Sequence, residues 1–98
     1  MMEPLGSVQA ARLIRLILSV EVDGVVVVSG HARREALKDG LTVPDVLRLL
    51  RAGFVAFAEL ESGTWRYRVN TGAFVVVVAF DGLGQREPRV HIVTVFRK

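Results

Sequence analysis

The sequence predicts an α+β domain in which short helices pack on a mostly antiparallel sheet, and three observations carry that expectation. The first half of the chain has apolar residues at helical spacing, interrupted by one β-branched run, Val25 to Val28. From Phe54 onward the apolar period changes to two, with turn residues between the runs. Of the 98 residues 51% are apolar and 23% charged, and there is no cysteine, so a single hydrophobic core must hold the fold without disulfides. The whole span 1–98 reads as one domain, with no internal repeat and no linker.

Ser7 is the expected N-cap of a first helix lying within residues 1–22, in which Leu13, Leu16, Ile17 and Val20 recur at i, i+3, i+4, i+7 and Arg12, Arg15 and Ser19 lie elsewhere on its surface. Asp23-Gly24 ends it. Val25 to Val28 follows as a short strand whose unbroken apolarity predicts burial on both faces. Gly30 to Lys38 forms a second helix that Asp39-Gly40 terminates. Thr42-x-x-Asp45 has the form of a capping box, Pro44 is tolerated in the first turn, and a third helix therefore runs to about Ala52 with Val46, Leu49 and Leu50 inward. Gly53 stands where a left-handed C-terminal cap is usual.

Phe54 to Glu61, Trp65 to Asn70, Ala73 to Phe80 and Val90 to Arg97 are the expected strands of a four-stranded meander, turned at Ser62-Gly63, Thr71-Gly72 and the stretch Asp81 to Pro88. Phe74 to Phe80 is apolar at every position and marks a central strand. Trp65-Arg66-Tyr67-Arg68 alternates, so Arg66 and Arg68 share one sheet face while Trp65, Tyr67 and Val69 share the other.

Composition removes several function classes. The longest apolar runs fall far short of the ~20 residues that span a bilayer as a helix, so no membrane partner is expected. The residues after Met1 have no basic cluster leading into an apolar stretch, so no secretory signal is read and a cytoplasmic, reducing setting is expected. Without cysteine there is no thiolate catalysis and no cysteine-ligated zinc, and the two histidines lack a close-spaced third ligand, so no metal is expected. Neither a glycine-rich nucleotide loop nor a nucleophile elbow is present, and no cofactor is expected. The formal charge is +3, and eleven of the thirteen cations are arginine, whose planar fork grips phosphate.

Three groups of residues could carry chemistry. His31, Arg34 and Lys38 share one helical face, which either binds a phosphodiester beside a group titrating near neutrality or is a solvated helix surface. Arg66 and Arg68 side by side suit phosphate, although an ordinary strand with its charge turned outward has the same pattern. His91, which strict alternation places with Val93, Val95 and Arg97, reads as a packed or edge histidine. Glu59 and Glu61 share a strand face and read as a solvated edge.

Ser29-Gly30-His31-Ala32 opening a short helix, Gly40-Leu41-Thr42, Trp65-Arg66-Tyr67-Arg68-Val69 and the run His91-Ile92-Val93-Thr94-Val95-Phe96-Arg97-Lys98 occur in an order that resembles the MqsR-like branch of the RelE-type toxin superfamily. Its nearest likeness is to small bacterial domains with a Ser-x-His-Ala motif, and it covers about residues 25–98. The resemblance implies a RelE-like order of helix, strand, two helices and four-stranded meander, with 25–98 as the toxin-like core. It implies a metal-independent endoribonuclease toxin of a toxin–antitoxin pair, cleaving RNA by attack of the 2′-hydroxyl and neutralised by a cognate antitoxin protein. His31, Tyr67 and Arg97 would be catalytic, and Arg34, Lys38, Arg66, Arg68, Thr94 and Lys98 would hold RNA phosphate. A non-catalytic protein- or nucleic-acid-binding module on the same fold is the alternative. Strict alternation puts Tyr67 and Arg68 on opposite sheet faces, so a single site requires a bulge to re-aim one of them.

Overall fold

The computed structural model of the protein describes residues 4–19, 25–83 and 87–98. In chain order the elements are α1 (Ser7–Ile17), β1 (Val25–Val28), α2 (Gly30–Lys38), α3 (Val43–Ala52), β2 (Phe54–Val55), β3 (Glu59–Glu61), β4 (Thr64–Asn70), β5 (Phe74–Asp81) and β6 (Arg89–Arg97). The sheet runs β1-β6-β5-β4-β2, with β3 also on β4, and only the β1–β6 pairing is parallel. The fold class is therefore α+β with a mostly antiparallel open sheet of six strands.

Local chemistry sets the helix ends. In α2 the Ser29 hydroxyl accepts the Ala32 N–H at 3.0 Å, and the helix closes in a Schellman motif. Gly40, at φ 71°, donates to the Leu37 carbonyl, and Leu41 donates to that of Ala36. The expected capping box opens α3: Thr42 Oγ1 accepts the Asp45 N–H at 3.3 Å, and Asp45 Oδ2 accepts the Thr42 N–H at 2.8 Å. The Thr42 hydroxyl also donates to Asp45 Oδ2 at 2.8 Å, and the hydrogen bonds from the Thr42 N–H and then from this hydroxyl hold the Asp45 carboxyl below the usual carboxylate range.

Gly6, not Ser7, is the N-cap of α1, and its N–H donates to the Gln9 side-chain oxygen at 3.0 Å. The buried face of α1 is Ala10, Ile14 and Ile17, with Leu13 half-buried and Leu16 47% exposed, so the expected stripe is rotated; Val20 and Asp23-Gly24 lie outside the described residues. These side chains meet Ala32 and Ala36 of α2 and Val46 and Leu50 of α3 on one face of the sheet, over Val69, Val76, Val78, Val90 and Ile92, all fully buried. The three helices form one layer and the sheet the other.

Three expectations are corrected. β1 lies at an edge and is only partly buried, because an apolar run reports hydrophobicity and not the number of neighbouring strands. The run Phe54 to Glu61 is two short strands: Val55 opposes Val69 while Glu59 opposes Arg66, which leaves one extra residue between them and turns Phe57 into solvent, 88% exposed. Gly53 has φ −75°, so it is not a left-handed cap. β5 is central as expected, with Val75 to Ala79 all buried.

Candidate nucleic-acid interface

The face of the sheet away from the helices takes its character from a bulge in β6. Val77 pairs with Thr94 and Val78 with Ile92, so Val93 is unopposed and the alternation slips by one. Val90, Ile92 and Val95 therefore all face the core, while His91, Thr94 and Phe96 share the open face; the expected grouping of His91 with Val95 and Arg97 is overturned. The Ser29 hydroxyl fastens the bulge by donating to the Val93 carbonyl at 3.0 Å.

On that open face β4 contributes Arg66 and Arg68, with Arg68, Val77 and Thr94 in one row across β4, β5 and β6. Arg66 pairs with Glu61 at 3.3 Å and Arg68 with Glu59 at 3.7 Å, ion pairs in which both carboxylates are 63% exposed. Between them lies a groove of about 190 Å³, floored by Val77 and walled by the two arginines, the two glutamates, Thr94 and Phe96. The Nε of Arg66 is buried there with no hydrogen-bond partner among the described residues. Further along the same face, Asp81 lies 3.8 Å from Arg89 and 3.7 Å from His91.

Compared with models of known families, with curated proteins and with solved structures, the chain finds no match.

The remaining candidates stand in other places. His31, Arg34 and Lys38 are exposed on α2, where Lys38 pairs with Glu35 at 3.0 Å; that hydrogen bond, with smaller contributions from His31 and Arg34, lowers the Glu35 carboxyl. Arg97 reaches the other end of the same helix, its Nε 3.4 Å from Asp39 and its guanidinium 4.8 Å above the Phe74 ring. Asp39, the C-cap of α2, follows His31 by eight positions, about 12 Å along the axis. Lys98 is exposed beside the β5 start, its N–H donating to the Ala73 carbonyl. Among the described residues no three histidine, aspartate or glutamate side chains gather as a metal would require, and no helix is long and apolar enough to cross a membrane.

Tyr67 faces the core. It is 3% exposed, meets Phe80 edge-on at 5.1 Å, and its hydroxyl accepts the Leu5 N–H at 2.7 Å. The bulge that a combined site would need lies in β6, so Tyr67 and Arg68 stay on opposite faces. The phenol ties the segment before α1 to the sheet, which sets an expectation: Tyr67→Phe loses about 1 kcal/mol and melts roughly 4–8 °C lower. A thermal melt followed by circular dichroism measures it, and an unchanged midpoint would remove the structural role. The structure thus brings Arg66, Arg68 and Thr94 together and leaves His31, Tyr67 and Arg97 apart. Sequence reasoning overlooked Phe96 and Val77 as parts of this surface.

Proposed function

We propose that the protein is an RNA-binding module that holds single-stranded RNA across the open face of its sheet. The observation that carries this reading is the convergence of Arg66, Arg68 and Thr94 on one groove. Guanidinium forks match phosphate oxygens, the Thr94 hydroxyl can donate to a phosphate or accept from a 2′-hydroxyl, and the partly exposed Phe96 ring offers a base a surface to stack on. Glu59 and Glu61 are not a barrier, because exposed ion pairs are worth only about 0–1 kcal/mol and a phosphate can displace a carboxylate from each arginine.

The RelE-like order, the cognate antitoxin and cleavage by 2′-hydroxyl attack belong to a fuller version of this reading, an endoribonuclease toxin. It asks His31, Tyr67 and Arg97 to act on one phosphate, whereas binding asks only for the groove. Binding without cleavage is therefore the simpler conclusion.

Fluorescence anisotropy with a labelled single-stranded RNA of about ten nucleotides, titrated at several salt concentrations, tests it. The double variant Arg66→Gln/Arg68→Gln should bind at least about tenfold more weakly, with a slope of log K against log salt shallower by about 1.4 if each arginine neutralises one phosphate. Equal binding by wild type and variant, or none by either, would end the proposal. The same RNA run on a denaturing gel should stay full length; fragments that disappear in His31→Ala would put the nuclease reading in its place.

A further inference from the structure

Strand register sorts the open face into lines of side chains that cross the sheet. Arg68, Val77 and Thr94 form one such line. Two residues further along each strand, Phe54 of β2 opposes Asn70 of β4, Asn70 opposes Val75 of β5, and Val75 opposes Phe96 of β6, which makes a second line beside the first. Alternation fixes its face. The neighbouring line of Val55, Val69, Val76 and Val95 is buried against the helices, so the line from Phe54 to Phe96 stands on the other side of the sheet.

This second line has an aromatic ring at each end and an amide between them. Phe54 is 78% exposed and Phe96 38%, while Val75 forms a buried floor. Asn70 is half-buried, and its side-chain amide has no partner among the described residues. Three strand-to-strand steps separate the two rings, about 14 Å. Bases stacked in a helical strand rise only about 3.4 Å each, so the rings cannot serve adjacent stacked bases. They suit bases splayed apart, with another base between. The two lines lie about 7 Å from each other along the strands, a gap that one ribose bridges between its base and its phosphate.

We propose that Phe54 and Phe96 are the base platforms of the RNA groove and that Asn70 reads the edge of the base held between them. This inference rests on the RNA-binding reading and assigns the bases their places. The RNA backbone crosses β6, β5, β4 and β2 over Arg68 and Thr94, and its bases fall to one side, onto the second line. A ring face accepts any base, so the two end positions are tolerant. An amide presents a donor beside an acceptor and pairs with adenine through N6 and N7, so the middle position favours adenine. The ligand is therefore an unpaired, unstacked strand, since a duplex keeps its bases stacked and turned inward.

Anisotropy with a labelled oligouridine of about ten nucleotides carrying one central adenine tests the proposal on the whole chain. Phe54→Ala and Phe96→Ala should each bind about fivefold or more weakly, as loss of a base–aromatic stack does. The slope of log K against log salt should stay unchanged, because no phosphate contact is removed. Phe54 is exposed, so its variant keeps the fold, which circular dichroism verifies. Should Phe96→Ala misfold, Phe96→Leu keeps the apolar bulk and removes the ring. The wild type should prefer the adenine-bearing strand over plain oligouridine by about fivefold, and Asn70→Leu should abolish that preference. An RNA duplex of the same sequence should compete about tenfold less well than the single strand. Binding that still needs Arg66 and Arg68 but is untouched in both phenylalanine variants overturns the base platforms and leaves the phosphate groove standing. So does equal competition by the duplex. An adenine preference that survives in Asn70→Leu overturns its reading role, and a wild type that binds no RNA ends this inference together with the reading beneath it.

Discussion

A chain shortened to begin at Val25 is expected to lose its cooperative unfolding transition. Removing α1 strips Ala10, Ile14 and Ile17, 0%, 1% and 3% exposed, from the shared core, together with the half-buried Leu5, Leu13 and Leu18 and the Leu5 N–H on the Tyr67 phenol. Two fully buried isoleucines are worth about 1.5–3 kcal/mol each, and with the partial burials the loss passes about 5 kcal/mol, comparable with the whole stability of a domain at about 5–15 kcal/mol. Circular dichroism should show a gradual melt, and a dye for exposed apolar surface should bind. The milder Ile14→Ala should cost about 2–5 kcal/mol and still melt sharply. A sharp transition in the shortened chain near that of the full one would make residues 25–98 self-sufficient and α1 an appendage.

Gly53→Ala should destabilise by about 3 kcal/mol, more than any other glycine-to-alanine change described here. The reason is space and not backbone conformation. At φ −75° an L-residue is unstrained, but a methyl group would overlap Val69 Cγ1 and stand 2.8 Å from the Leu49 carbonyl oxygen. Gly53 thus lets the end of α3 lie directly on β4, and from there β2 starts its pairing with Val69 and Asn70. Gly72→Ala is the control, with nothing within 4 Å of the added carbon. Urea titrations of the two variants compare them, and equal midpoints would mean that α3 and β4 can part at little cost.

How much was legible follows from how local each signal is. The end of α2 and the start of α3 were readable because Gly40 and the Thr42–Asp45 box act within a few residues, whereas unbroken apolarity did not separate the central β5 from the edge strand β1. The buried face of α1 was not. Ala10, Ile14 and Ile17 form as good a helical row as Leu13, Leu16 and Val20, and the choice rests on what the helix packs against. Arg66 and Arg68 were placed on a common face by alternation alone. Thr94 joined them only through the bulge at Val93, within a run of ordinary strand formers that carries no glycine to announce it. For the same reason His91 was assigned to the wrong neighbours, and Gly53 was given a conformational role where the need was for room.

The parallel pairing of β1 with β6 has a temporal side. The Ser29 hydroxyl and the Val93 carbonyl that it holds are 64 residues apart in the chain. During synthesis the four valines of β1 leave the ribosome long before their partner exists, and they wait through the making of two helices and four strands. Contacts this distant raise the contact order and slow folding, so the nascent chain carries an unpaired, uncharged strand during the interval when aggregation is most dangerous. A helper that shields Val25–Val28 cotranslationally would raise soluble yield more than one that acts on the finished chain.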